Sequence, residues 1–164
     1  MQGTYFQYGL LAALAIGLLM AAYTDFRSRQ IANWLNGAIA LGAPLFWWAS
    51  GMALWPDVAI QLGLALAAFI VLAGLFALRA LGGGDVKLLS ALALWLAPTD
   101  YLSMLLMMAI IGGVLTLIIG ATNVIRRRHG KMSVPYGIAI SAAGLWILGM
   151  NYFPAVSAGA RHFG

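Results

Sequence analysis

Charge is nearly absent from this chain, and what there is falls mostly between long apolar runs. Of 164 residues, 63% are hydrophobic and 8% charged, against about 25% charged in an ordinary soluble domain. A membrane span needs roughly 20 predominantly apolar residues. Runs of that character lie at about 5–24, 33–51, 57–79, 86–97, 100–124 and 134–153. The expected fold is an all-α membrane protein of six transmembrane helices, a single integral-membrane domain over residues 1–164. Breaks are expected at 25–30, 50–56, 82–84, 98–99 and 126–131, where glycine, proline and charged residues gather. The opening Met-Gln-Gly-Thr-Tyr lacks the basic start of a secretory signal, so the first run reads as a retained helix.

Cysteine is absent, which excludes disulfides, cysteine zinc sites and thiol nucleophiles. The net charge of +5 does not point to nucleic acid, because basic residues in so apolar a chain act as topological anchors. Lys and Arg concentrate in short cytoplasmic loops. Arg27 and Arg29 lie in the first loop, Arg79 and Lys87 flank the third, and Arg126, Arg127, Arg128 and Lys131 fill the fifth. The second and fourth loops have none, and Arg161 alone lies in the tail. Both termini should therefore face out, on the periplasmic or outer side, with loops one, three and five in the cytoplasm. The run Arg126-Arg127-Arg128-His129-Gly130-Lys131 should also bind anionic lipid headgroups. His129 and His162 do not look like ligands. The tryptophans at 34, 47, 48, 55, 95 and 146 are expected in lipid-facing or interfacial positions.

That topology sorts the four acidic residues, all aspartates. Asp57 and Asp100 fall outside, each just after a proline, and read as residues of a helix N-terminus. Asp25 and Asp85 fall on the cytoplasmic side. From Asp85 to Pro98 is roughly 13 residues, about 20 Å of helix, against a hydrocarbon layer of about 30 Å. With Pro98 at the outer surface, Asp85 lies within the membrane. A carboxylate at such depth is costly, and its default reading is functional.

Two carboxyl groups around one water suit peptide-bond hydrolysis. One, ionised, takes the water's proton; the other, protonated, polarises the scissile carbonyl. Close like charges do not both ionise cheaply, so a pair supplies both forms. Gly82, Gly83 and Gly84, directly before Asp85, allow unusual dihedrals and close approach of a substrate backbone. Plainer readings exist for each residue. Asp85 could cap a helix after a glycine turn, Asp25 could balance Arg27 and Arg29, and Lys87 could extend to the membrane surface rather than act on Asp85. Two other functions compete with proteolysis: a small proton-coupled transporter and a catalytically idle assembly scaffold. The transporter would want polar groups continuing across the membrane, and few exist beyond Gln61, Ser90 and Thr116.

The stretch Gly82-Gly83-Gly84-Asp85-Val86-Lys87-Leu88-Leu89 resembles the signature of the prepilin peptidases, the GxGD-type aspartyl proteases of bacterial and archaeal membranes. Thr24-Asp25-Phe26-Arg27 through Ile31-Ala32-Asn33-Trp34 resembles the segment carrying that family's first aspartate, and Val134-Pro135-Tyr136-Gly137-Ile138-Ala139 the start of its last helix. The resemblance implies six helices, Asp25 and Asp85 as the catalytic pair, and cleavage at the cytoplasmic face. Its implied substrates are prepilins or pseudopilins, in which a short polar leader precedes a hydrophobic helix, with no metal or organic cofactor. Two departures stand out. The family's usual Ile-Pro-Asn reads Ile31-Ala32-Asn33, and the cytoplasmic insert with cysteine pairs found in larger relatives is missing. The chain thus resembles the compact branch serving tight-adherence (Flp-type) pili.

Overall fold

A computed structural model describes residues 2–125 and 136–160. Among them the chain forms six α-helices and no strand: α1 Gln2–Ser28, α2 Asn33–Ala49, α3 Ala59–Ala77, α4 Gly83–Leu92, α5 Pro98–Ile125 and α6 Tyr136–Ala160. An irregular turn, Leu54–Val58, leads into α3 and contains the extended residue Trp55. The stretches Thr4–Ser28, Leu54–Ala77 and Pro98–Thr122 are long and apolar enough to cross a membrane. The anchor run with Arg126, Arg127, Arg128, His129 and Lys131, together with Val134, Pro135, Arg161 and His162, lies outside the described residues.

α4 is the central element. It packs against α2, α3 and α6, while α1 packs on α2 and α6, and α5 on α6. Val86, Leu88, Leu89, Ala91 and Leu92 of α4 are all buried. Close approach to its neighbours relies on small residues. A Cβ added at Gly144 of α6 would stand 3.0 Å from Leu18 Cδ1 and 3.9 Å from Leu92 Cδ1. Leu62, Leu66, Phe69 and Ile70 of α3, and Leu102, Leu106, Ile110 and Leu117 of α5, face outward and exposed. Apolar surface on that scale suits lipid, not water.

Several expected boundaries move. α1 runs on through Asp25 to Ser28, so the carboxylate sits in the helix's last turn and not in a break. Ser28 Oγ donates to the Thr24 carbonyl (2.7 Å), and the turn is closed by Arg29 at φ 53°. Arg79, at φ 59°, ends α3 in the same left-handed way, with its N–H on the Phe76 carbonyl (2.8 Å). α4 is shorter than the 86–97 expected. It starts earlier, at Gly83, and gives way after Leu92 to a turn that leads into α5 at Pro98.

Inside a bundle, backbone carbonyls freed by that turn need donors. Two side chains supply them, and Trp95, in the turn itself, donates outward. Trp47 Nε1 donates to the Leu94 carbonyl (2.8 Å), Gln61 Nε2 to the carbonyls of Leu96 (3.0 Å) and Leu94 (3.4 Å), and Trp95 Nε1 to the Ile39 carbonyl of α2 (2.8 Å). The tryptophan expectation therefore divides. Trp34, Trp48, Trp55 and Trp146 are exposed, whereas Trp47 and Trp95 are core residues, buried because their indole N–H groups serve this junction. Gln61→Leu should leave the Leu96 carbonyl without its donor, an expected loss of about 1–3 kcal/mol measurable as a lower thermal midpoint in detergent.

The other two aspartates have structural employment. Asp57 Oδ2 accepts the Ala53 N–H (3.1 Å) ahead of α3, and Asp100 Oδ2 accepts Asn151 Nδ2 (2.8 Å), joining α5 to α6. The missing proline of the first connection leaves little trace. Ala32 holds φ −62° and ψ 133° as the N-cap of α2, the φ a proline ring imposes. Ala32→Pro should accordingly raise stability by about 0.4–1 kcal/mol through the unfolded chain, seen as a higher thermal midpoint in detergent.

Candidate active site

Asp25 and Asp85 come from opposite kinds of helix end. Asp25 occupies the last turn of α1, Asp85 the first turn of α4. The antiparallel run of α1 against α4 and α6 brings both to one end of the bundle, where the two carboxylates lie within electrostatic reach of each other.

Gly82 is the N-cap of α4, in extended conformation at φ −76° and ψ 147°. Asp85 is then the third helical residue, and its carboxylate turns back toward the Gly82 N–H, half of the reciprocal arrangement seen in capping boxes. A Cβ at position 82 would stand 2.8 Å from Asp85 Oδ2. Gly82 is thus required by the carboxylate itself. At Gly83 the Cβ position is 3.4 Å from the Phe76 ring, and at Gly84 it is 3.3 Å from Ile31 Cβ and 3.4 Å from the Ile31 nitrogen. None of the three adopts a left-handed φ. The unusual dihedrals expected of this run are not used; its bareness admits the α1–α2 connection and the end of α3 right up to Asp85.

Asp25 is buried, 5% exposed. Its carboxylate faces the backbone N–H groups of Gly137 and Ile138 in the first turn of α6, with Arg29 also within electrostatic range. Such a helix N-terminus carries partial positive charge and favours an anion. Even so, Asp25 Oδ2 is buried and accepts no hydrogen bond among the described residues. Gly137 is the site residue that sequence reasoning passed over. A Cβ there would lie 2.7 Å from Asp25 Oδ2 and 2.8 Å from both Cβ and Cγ. Gly137 lies in the Val134–Ala139 stretch that resembles the start of the family's last helix, but nothing there announces a contact with Asp25, whereas Gly9, Gly63 and Gly113 have open space around them.

Lys87 does not turn toward Asp85. Its Nζ donates to Asn33 Oδ1 at 2.8 Å, at the rim of a groove of about 390 Å³ floored by α4 and walled by α2 and α3. Asn36, one turn further along α2, is 4% exposed and donates from Nδ2 to the Gly84 carbonyl at 3.3 Å. The three polar groups that could have continued a path across the bundle are occupied locally. Ser90 Oγ bonds the Val86 carbonyl (2.8 Å), Thr116 Oγ1 the Gly112 carbonyl (2.7 Å), and Gln61 the carbonyls beyond α4.

Chemically, the arrangement offers two carboxylic groups near one another, one on a helix N-terminus and one beside a bare glycine turn. No curated protein and no solved structure matches the chain. A family model does, over residues 12–117. That stretch is well over half the chain and holds both aspartates and the whole glycine run, and it ends inside α5, short of Gly137. The chain therefore belongs to the type IV leader peptidase family, and the bundle is that of a membrane peptidase.

Proposed function

We propose that the protein is an aspartyl endopeptidase of the inner membrane that removes the leader peptide of Flp-type prepilins or pseudopilins. Asp25 and Asp85 share the attacking water, one as base and the other as acid, and the bare turn Gly82 to Gly84 lets the α1–α2 connection and the end of α3 close against Asp85. The observation that carries this reading is the convergence of the two carboxylates at one end of the bundle. In the proposed topology the chain crosses the bilayer six times, the fourth pass made by α4 together with the turn that follows it, and both termini lie on the periplasmic side. The aspartate end then faces the cytoplasm, where a polar leader would present its junction with a membrane-embedded stem. No metal or organic cofactor takes part.

A proton-coupled transporter is disfavoured by the employment of Gln61, Ser90 and Thr116 on backbone carbonyls. An idle scaffold is separated by experiment. The protein is co-expressed with a panel of Flp-type prepilins, and leader removal is scored by mobility and N-terminal sequencing. Wild type, Asp25→Asn, Asp85→Asn and the control Asp57→Asn are compared. Cleavage by all four alike would show that these carboxylates do not perform the reaction.

A further inference from the structure

We infer that Asn36 is a positioning residue: through the Gly84 carbonyl it sets where Asp85 stands relative to Asp25. The inference rests on the aspartyl-dyad reading above, but it concerns a residue outside the signature motifs.

The amide of Asn36 is buried at 4% exposure in an otherwise apolar stretch of α2, where an uncommitted amide is costly. Its Nδ2 reaches across 48 residues of sequence to the Gly84 carbonyl (3.3 Å), while Oδ1 has no partner among the described residues. Only the NH₂ end of an amide can face a carbonyl, so the contact fixes the side chain's orientation. Gly84 directly precedes Asp85, and Ile31 fills the space its missing side chain leaves, with Ile31 N 3.4 Å from the Cβ position. The α1–α2 connection thus grips the first turn of α4 twice, by packing at Ile31 and by hydrogen bond at Asn36. The same connection leaves α1 after Ser28, three residues beyond Asp25, and reaches Ile31 three residues later. The two carboxylates are therefore registered through residues 31–36. A bifurcated pair that must hold one water depends on its spacing, and a misplacement of about 1 Å can cost about 100-fold in rate.

Two readouts test this. In the cleavage assay, Asn36→Leu keeps the side chain's size and removes the donor. It should lower kcat by about 10- to 100-fold with KM within about threefold, and shift the limbs of the pH–rate profile, which report the coupled pair. In the second, the cysteine-free chain receives Asp25→Cys and Asp85→Cys together. The rate at which a short bifunctional methanethiosulfonate links them is then compared with and without Asn36→Leu. Slower linking with Asn36→Leu is expected, and this readout needs no activity. Should Asn36→Leu fail to fold, Asn36→Ser is read in both assays. An unchanged linking rate together with an unchanged pH profile would overturn the inference, as would full activity. If Asp25→Asn or Asp85→Asn still cleaves, the dyad reading itself fails, and the linking rates then decide the geometry alone.

Discussion

Asp25→Asn and Asp85→Asn should each lower the rate of leader removal by about 10²–10⁴-fold, the range associated with losing one positioned acid or base. The substitutions are nearly isosteric, so packing is not the cause. At Asp85 the asparagine oxygen can still face the Gly82 N–H and preserve the start of α4. At Asp25 it can still lie against Gly137 and Ile138. What is lost is the titrating carboxyl. On the proposed shared-water mechanism, the double variant should be scarcely slower than either single one. Additive losses would mean two independent roles and would count against a shared water. Asp57→Asn should keep full activity, since its oxygen has only the Ala53 N–H to satisfy.

Gly137→Ala is expected to cost about as much as moving Asp25 by an ångström, roughly 100-fold in rate. The added methyl would meet Asp25 Cβ and Cγ at 2.8 Å. These atoms lie close to the α1 backbone and cannot swing aside as a long side chain could. Either α6 retreats or the carboxylate turns away from the N–H groups it faces. Gly113→Ala is the matched control, because nothing lies within 4 Å of its Cβ position and alanine favours helix over glycine. Comparable cleavage by Gly137→Ala and wild type, at equal folded yield, would show that Asp25 tolerates displacement and that the close fit has no functional consequence.

The helix order was legible, and so was the choice of the two aspartates that the fold brings to one end of the bundle, because both readings rest on composition. Apolar runs cannot be anything but helix in this setting, and four acids in 164 residues are few enough to sort one by one. Helix ends were harder. α1 and α3 stop at Arg29 and Arg79 in left-handed conformations, positions usually marked by glycine, so no local signal announces them. The early end of α4 is set by donors from distant elements, Trp47 and Gln61. Burial was harder still. Hydropathy does not separate a lipid-facing tryptophan from a core one, because both surroundings are apolar; only the hydrogen bonds of Trp47 and Trp95 make the distinction. Gly137 and Asn36 share that obscurity, since each matters through a partner far away in the chain.

The short central helix has a consequence for the membrane as an electrical insulator. Ten residues of α4 rise about 15 Å, near half the thickness of a hydrocarbon layer. Its far end is stopped by aromatic rings: Trp95 against Phe46 with centroids 5.2 Å apart, and buried Trp47 bonded to the Leu94 carbonyl beside them. A second cavity, of about 360 Å³, enters from that far side and ends at Gln61, Phe46 and Trp95. Water admitted at the aspartate end therefore meets indole before it meets water from the other side. Such a barrier lets a hydrolytic site stay wet without opening a proton leak, so the bundle can do aqueous chemistry while the gradient across it holds.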